Sequence, residues 1–318
     1  MTPFFSVVIP VFDRAGALGE ALASVLAQTE QDFEIVVADD GSTDDPKAVI
    51  DRIADPRIRY VRQDNRGGGA ARNLGIDHAA GSFFAFLDSD DVFLPNHLAT
   101  ARRLLEGTTN TASYARMIVD RGDGGQILKP PRAIRPGEDM AAYLLCDRGF
   151  VPTITTVVPA ELARRVRYHE NLREAEDTDF AVRLSLAGCR FVMADAAGAV
   201  WNDHYDPNRL SAGRSTARME QWLESMRPQI SRKGYLGGMG WVVAKGVAMK
   251  SPLRALALYL DALLHGCYSP GLAAIVLLQI FLPNSLYRAA ADGAIRWLRA
   301  GMQLPEKKQG TRPHTEPA

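Results

Sequence analysis

Three carboxylates within four positions are the most conspicuous chemical feature of the sequence. Asp88-Ser89-Asp90-Asp91 directly follows the apolar run Phe83–Leu87. Carboxylates crowded together repel one another unless a cation lies between them. Mg²⁺ and Mn²⁺ favour such oxygen ligands, completed by phosphate oxygens and water. The run therefore predicts a metal site facing a diphosphate, and the alternative is a solvated acidic loop ahead of the helix that opens at Pro95.

A second acidic turn, Asp39-Asp40-Gly41-Ser42, follows the apolar run Phe33–Ala38. A carboxylate at this place could accept the N–H of a nucleobase, while Gly41 permits a tight turn. A structural turn that caps the next helix, through Ser42, Thr43 or Asp44, would explain the same residues.

Glycines 67–69 precede a predicted helix and are accompanied by Arg66 and Arg72. Glycine lets the backbone approach a phosphate, and the arginines supply positive charge. The spacing is neither GxGxxG nor GxxxxGK[ST], which argues against a Rossmann dinucleotide site and a P-loop. A flexible hinge is the alternative.

Glu176 and Asp177 stand at the predicted start of another helix. Acids in a first helical turn complement the helix dipole, so a structural explanation exists. A carboxylate in this place could also act as a general base that takes a proton from a substrate hydroxyl, as transfer of a group to that hydroxyl requires. His204 is a candidate contact to phosphate or metal, with an ordinary surface side chain as the alternative.

The elements that would position these residues alternate between strand and helix. The apolar runs 4–9 and 33–38 predict buried strands, and two further strands are predicted over 58–61 and 82–87. Helices are predicted over 17–28, 44–53, 67–78 and 95–106. This order predicts an α/β fold with a doubly wound, mostly parallel sheet and helices on both faces. The carboxyl ends of its strands share one edge, where ligands bind.

The pattern loosens after residue 110. Strands are predicted over 114–119, 126–128, 153–158, 191–193 and 199–201, a helix over 175–186, and helices alone from residue 208. We divide the chain into a catalytic domain over 1–226, with a nucleotide half (about 1–110) and an acceptor half (about 111–226). A helical, basic and apolar segment follows over 227–304, and a disordered tail over 305–318.

Composition limits the class of protein. Apolar residues make up 47% and charged residues 23% of the chain, which is typical of a globular protein. The three cysteines form no CxxC pair, which argues against a disulfide framework and a zinc site and suits a reducing compartment. No secretory signal and no bilayer-spanning run is expected.

Charge is distributed unevenly along the chain. Residues 1–226 contain 25 Lys and Arg against 33 Asp and Glu, whereas residues 227–300 contain 9 against 2. The apolar runs 253–264 and 271–282 lie in this basic part. They predict an element that lies on the surface of an anionic membrane. The alternative is a helical appendage that packs on the catalytic domain or forms a dimer contact.

Taken together, the motifs resemble family 2 glycosyltransferases of the GT-A fold. The resemblance covers about residues 4–205. It rests on Val8-Ile9-Pro10-Val11 with Asp13-Arg14, Ser24-Val25-Leu26-Ala27-Gln28-Thr29, Asp32-Phe33-Glu34-Ile35-Val36-Val37, Asp39-Asp40-Gly41-Ser42-Thr43-Asp44, Ala71-Arg72-Asn73-Leu74-Gly75, Phe86-Leu87-Asp88-Ser89-Asp90-Asp91, and Glu176-Asp177 followed by Arg183-Leu184.

The resemblance implies a role for each matched position. Pro10, Val11, Asp13 and Asp39 or Asp40 would surround the nucleotide base, usually uridine, with Arg72 near the phosphates. The glycine run before it adds Arg66 and Gly67 to the predicted nucleotide contacts. Asp88 and Asp90 are similar to the DxD pair, which implies Asp90 as the direct ligand of Mn²⁺ or Mg²⁺, supported by Asp88 and Asp91. Asp177 would be the base that deprotonates the acceptor, with Glu176 beside the acceptor. His204 matches the loop that closes over the diphosphate.

The implied activity is inverting transfer of one sugar from a UDP-sugar, such as UDP-glucose or UDP-galactose. The expected acceptor is a lipid-linked oligosaccharide in bacterial exopolysaccharide, capsule or lipopolysaccharide biosynthesis. We expect a cytoplasmic protein, with peripheral contact to the inner membrane as an option, and no nucleic-acid partner. Processive synthases of the family carry QxxRW, whereas Gly293 precedes Arg296-Trp297 here.

Two other functions are considered. A sugar nucleotidyltransferase would share the sheet and the metal carboxylates, but it needs a basic, glycine-rich loop near the first strand, which Pro10-Val11-Phe12-Asp13 does not supply. A regulator that binds nucleotide or glycan without catalysis is opposed by the retained Asp177 and the complete acidic run.

Overall fold

The computed structural model describes residues 2–121, 126–172, 175–203 and 215–282. Its strands are β1 (Phe5–Val11), β2 (Phe33–Asp39), β3 (Ile58–Arg62), β4 (Phe83–Phe86), β5 (Val92–Phe93), β6 (Thr111–Asp120), β7 (Gln126–Lys129), β8 (Val157–Pro159) and β9 (Arg190–Asn202). Its helices are α1 (Ala15–Leu26), α2 (Pro46–Ile53), α3 (Gly68–His78), α4 (His97–Leu105), α5 (Met140–Cys146), α6 (Ala160–Val166), α7 (Glu176–Leu186), α8 (Thr216–Met226), α9 (Arg232–Gly238), α10 (Ala244–Val247), α11 (Pro252–Leu264) and α12 (Pro270–Phe281).

The described strands form one sheet in the order β3-β2-β1-β4-β8-β6-β9-β5, and β7 pairs with β6. Strands β1 to β4 are parallel, whereas β8 pairs antiparallel with β4 and β6. Strands β6 and β9 are parallel again, with a register shift near Arg116. The α/β fold with a largely parallel sheet is therefore confirmed.

Both faces of the sheet are covered, as predicted. On one face Val7 and Ile9 of β1 pack with Leu18 and Leu22 of α1. On the other face Val8 packs with residues of α3, α6 and α7. Side chains of β1 are buried on both sides, which explains its continuous apolar sequence.

Three local predictions are corrected by the structure. The two predicted strands 191–193 and 199–201 are parts of the single strand β9, which pairs with β6 on both sides of a bulge at Asp195 and Ala196. The predicted strand 153–158 begins as a 3₁₀ turn, Thr153–Thr155, because the hydroxyls of Thr155 and Thr156 donate to Pro152 O. Asp45 caps α2, whereas Asp44 accepts the Ala15 N–H beside α1.

The described helices after residue 226 pack on the rest of the chain. One apolar cluster joins Tyr143 of α5 and Val182 of α7 to Trp222, Tyr259 and Val276. In addition, Trp222 Nε1 donates to Asp179 Oδ1 of α7 at 2.8 Å. The division of the chain at residue 226 stays a prediction. Among the described helices, none combines the length and apolarity that a bilayer crossing requires.

Candidate active site

The acidic run lies where β4 ends, and its three carboxylates have different partners. Asp88 Oδ1 accepts a hydrogen bond from Arg72 at 2.6 Å. Asp90 Oδ2 forms an ion pair with Arg14 Nη1 at 3.2 Å. Asp91 is buried and accepts the backbone N–H of Asn202 at 2.9 Å. Asp88 and Asp90 are therefore partly exposed beside cations, whereas Asp91 connects the run to the end of β9.

The carboxylates of this edge meet some of the requirements of a divalent cation. Within residues 2–121, 126–172, 175–203 and 215–282 no three His, Cys, Asp or Glu side chains are grouped to hold a metal. Asp88 and Asp90 nevertheless offer carboxylate oxygens at one sheet edge. They fit an ion that takes one or two protein ligands and completes its shell with diphosphate oxygens and water.

Arg72 of α3 connects the two acidic regions. Its Nη2 donates to Asp88 and its Nη1 to Glu176 Oε2 at 2.7 Å, although its side chain is only 11% exposed. It also lies over the ring of Tyr168, 5.3 Å from the centroid. Burial alone would lower the pKa of Arg72, but Asp88 and Glu176 raise it overall. A permanent positive charge therefore lies between the predicted diphosphate side and acceptor side.

Glu176 and Asp177 form the first turn of α7. Ala175, the residue before them, adopts a left-handed conformation with φ of 57°, which non-glycine residues rarely adopt. Asp177 Oδ1 accepts the Thr178 N–H at 2.8 Å, and Asp177 borders a narrow pocket with Thr153 and Tyr168. Burial raises the pKa of both Glu176 and Asp177. Asp177 thus has the environment of a stronger base than an exposed aspartate.

The second acidic turn is held by donors from the chain itself. Asp39 is fully buried and accepts from Ser42 N, Tyr60 Oη and Arg62 Nη1. Burial alone would raise the pKa of Asp39, but these hydrogen bonds and the charge of Arg62 lower it overall. Asp40 accepts from the backbone N–H groups of Arg66 and Gly67. Asp40 therefore fixes the glycine-rich segment before α3.

Other predicted nucleotide residues surround the same turn. Asp13, with φ of 48°, accepts the Thr43 N–H at 2.6 Å, and Val11 at the end of β1 is buried. Pro10 is partly exposed beside it. Arg66 is exposed and forms an ion pair with Glu170. His204 lies outside the described residues. The roles assigned to these residues stay predictions.

Sequence reasoning missed several residues of this region. Arg14, Tyr60 and Arg62 contact predicted site carboxylates, but no role was assigned to them. Asn73 was noted only as part of a motif, yet its side chain bonds both the N–H and the C=O of Tyr168. The position of Arg14 could have been recognised, because it is a cation shortly after β1, and β1 lies beside β4, which leads into the acidic run. The partners of Asn73 are too distant in sequence for any local pattern to reveal.

Comparison with known proteins defines the class. The profile of Glycosyl transferase family 2 matches residues 6–172, more than half of the chain. The protein therefore belongs to glycosyltransferase family 2, and the expected resemblance is confirmed.

Among curated relatives, the amylovoran biosynthesis glycosyltransferase AmsB of Erwinia amylovora is 30% identical over 240 residues, covering 72% of this chain and 79% of AmsB. The succinoglycan biosynthesis protein ExoW of Rhizobium meliloti is 34% identical over 220 residues, covering 61% of this chain and 67% of ExoW. An uncharacterized Rickettsia felis glycosyltransferase is 33% identical over 215 residues, covering 65% of this chain, but the chain spans only 35% of that relative.

Solved structures support the fold. S. aureus TarS in complex with UDP-GlcNAc superposes with a TM-score of 0.61 at 18% identity, covering 92% of each chain. The mannosyltransferase PcManGT of Pyrobaculum calidifontis, in complex with GDP-Man and Mn²⁺, gives a TM-score of 0.57 at 17% identity, covering 95% of this chain and 87% of that one. At these identities the likeness establishes the GT-A-like fold alone.

Proposed function

We propose that the protein transfers one sugar from a UDP-sugar to an acceptor hydroxyl with inversion at the anomeric carbon. The observation that carries this proposal is the bridge formed by Arg72 between Asp88 and Glu176. It joins the end of β4, where a diphosphate would bind, to the start of α7, where an acceptor would bind. A donor and an acceptor could therefore meet at one edge of the sheet.

Two neighbours support a nucleotide-sugar donor and a divalent metal. TarS holds UDP-GlcNAc, and PcManGT holds GDP-Man with Mn²⁺. In this chain Asp90, assisted by Asp88 and with Asp91 behind it, would hold Mn²⁺ or Mg²⁺. When bound, the ion would supply positive charge that stabilises the leaving diphosphate. Arg14 and Arg72 would provide further positive charge beside it.

The proposed base is Asp177. Its carboxylate would take the proton of the acceptor hydroxyl while that oxygen attacks the anomeric carbon from the face opposite the diphosphate. The bond from that carbon to the diphosphate oxygen would break as the new bond forms, which inverts the configuration. The raised pKa of Asp177 favours this role because it strengthens the base. Glu176, whose carboxylate forms an ion pair with Arg72, would lie beside the acceptor.

The pathway proposal follows the relatives. AmsB and ExoW are named for amylovoran and succinoglycan biosynthesis. We therefore propose that the acceptor is a lipid-linked oligosaccharide of exopolysaccharide assembly, and that the protein acts at the cytoplasmic face of the inner membrane.

A panel of UDP-sugars tests the activity. Release of UDP from each sugar of the panel identifies the donor, and the same assay with and without Mn²⁺ measures the metal dependence. Asp177→Asn should lower turnover by about a thousandfold. UDP should still bind to this variant with Mn²⁺, as measured by calorimetry. Asp195→Asn, at an exposed position of β9, is the matched control. Near-normal turnover of Asp177→Asn would refute the assignment of the base.

The pH dependence gives a second measurement on the same group. The base acts when deprotonated, so the rate should fall as the pH drops through its raised pKa. The acid limb of the wild-type profile should accordingly lie above 3.8, the ordinary value for aspartate. An acid limb at or below the ordinary value would argue against Asp177.

A further inference from the structure

An exposed stripe of α11 is apolar, beside the charged Arg254 and Asp261, although the inner surface of the helix already packs on the protein. Ala255, Tyr259 and Ala262 face inward and are buried. Leu253, Leu256, Leu260, Leu263 and Leu264 are exposed, to 82% for Leu253 and 85% for Leu264. These leucines recur at three- and four-residue spacing, so they form one stripe along the helix.

Helix α12, which packs beside α11, carries an exposed apolar stripe of its own. Leu272, Val276 and Ile280 are buried, whereas Leu277, Leu278 and Phe281 are exposed. The two helices contact each other, and Tyr259 Oη of α11 donates to Ala273 O of α12 at 3.0 Å. We call the exposed stripes of α11 and α12, together with Met249, the leucine face. Exposed apolar surface of this extent on a folded protein marks an interaction site.

The leucine face is not needed to hold these helices in place. Tyr268 Oη donates to Gly237 O at 2.6 Å, and Trp241 Nε1 donates to Gln279 Oε1 at 2.8 Å. A Cβ on Gly240 would overlap Ala262, so the backbones approach closely on the inner side. The outer leucines are therefore available to a partner without any rearrangement of the core.

Charge indicates which partner fits. Residues 227–282 contain six Lys and Arg and one acidic residue, Asp261. Arg227 and Arg254 are ion-paired with Glu224 and Glu220 of α8, and the remaining cations leave this part of the chain with a net positive charge. Lys250 is exposed between Met249, which is 88% exposed, and Leu253. A second copy related by a two-fold axis would present the same net positive surface, and the repulsion between like charges opposes that association. An anionic lipid leaflet complements both the leucines and the positive charge.

We propose that the leucine face is a docking surface for an anionic lipid bilayer, with α11 and α12 lying in the interface. Their 13 and 12 residues give lengths of about 20 and 18 Å, short of the roughly 30 Å hydrocarbon core. The leucines would enter the acyl boundary while Lys250 remains at the level of the headgroups. This proposal does not depend on the sugar transferred or on the identity of the base.

Sedimentation of the full-length protein with vesicles tests the proposal. The probes are phosphatidylcholine vesicles with and without phosphatidylglycerol. We expect binding that requires phosphatidylglycerol and weakens with salt. The variant Leu253→Ser/Leu264→Ser should weaken binding by about tenfold or more, because it removes the two most exposed leucines of α11. Lys250→Glu should weaken binding to the vesicles that contain phosphatidylglycerol, because it reverses a charge next to the leucine face.

Leu128→Ser on β7 is the matched control, since Leu128 is 56% exposed but lies outside the leucine face. UDP-sugar hydrolysis without vesicles should be unchanged in the double serine variant, which separates a failure of docking from a failure of the enzyme. Equal recovery with and without vesicles, or unchanged binding of the double variant, would overturn the proposal. A dimer in analytical ultracentrifugation that the double variant dissociates would assign the face to a second copy instead.

Discussion

Replacing Arg72 by methionine should both destabilise the fold and uncouple the two acidic regions. The guanidinium is nearly buried and bonds Asp88 at 2.6 Å and Glu176 at 2.7 Å. Methionine keeps much of the side-chain volume but leaves both carboxylates without their shared cation. Loss of one partner of a buried ion pair costs about 3 to 5 kcal/mol. Asp88 is 34% exposed and can be partly solvated, so we expect a loss of about 3 kcal/mol.

The coupling between Arg72 and Glu176 can be measured separately. Urea unfolding followed by tryptophan fluorescence gives the unfolding free energies of Arg72→Met, Glu176→Gln and the double variant. The pair should show a coupling energy of about 1 to 2 kcal/mol. Arg72→Lys should recover only part of the loss, because one ammonium cannot reproduce two forked contacts. An Arg72→Met variant within about 0.5 kcal/mol of wild type, or additive effects, would refute the bridge as a stabilising element.

Two further predictions test the metal side and the packing of α3. Arg14→Ala removes the partly exposed ion pair between Arg14 and Asp90, so Mn²⁺ alone, titrated by electron paramagnetic resonance, should bind about threefold more tightly. Arg57→Ala, which breaks the ion pair with Asp55, is the control, and unchanged or weaker Mn²⁺ binding by Arg14→Ala would contradict the competition. Gly75→Ala should cost about 2 kcal/mol in urea unfolding, because its Cβ would overlap Val8 of β1. Val8→Ala should reduce that cost, and a cost that is the same in both backgrounds would count against the overlap.

The sequence predicted the nucleotide half of the fold well because its signals are local. Strands β1, β2 and β4 are largely apolar runs, and β1 and β2 are each followed by a polar turn and a helix with apolar residues at helical spacing. The second half was less predictable. Two consecutive exposed residues, Asp195 and Ala196, lie at the bulge of strand β9, so its sequence indicated two short strands where one exists.

The candidate site was predictable to the level of its acidic segments and no further. Acidic residues at strand ends indicated which parts of the chain meet, because parallel strands share their carboxyl edge. The partner of each carboxylate could not be derived. Asp40 binds backbone N–H groups 26 and 27 positions away, and Arg72 meets Glu176 across 104 positions. Such contacts form only when the fold brings distant segments together, and they leave no local pattern.

Helix α7 and the helices that bear the leucine face belong to one apolar cluster, in which Val182 lies with Tyr259 and Val276. Docking of α11 and α12 on a bilayer would therefore attach the catalytic part rigidly and not through a flexible linker. Docking would fix the tilt of the whole cleft relative to the lipid surface, including Asp177 at the start of α7. An acceptor anchored in the same leaflet would then reach Asp177 at a fixed height above the membrane and from one direction. The enzyme and its acceptor would find each other by diffusion in two dimensions.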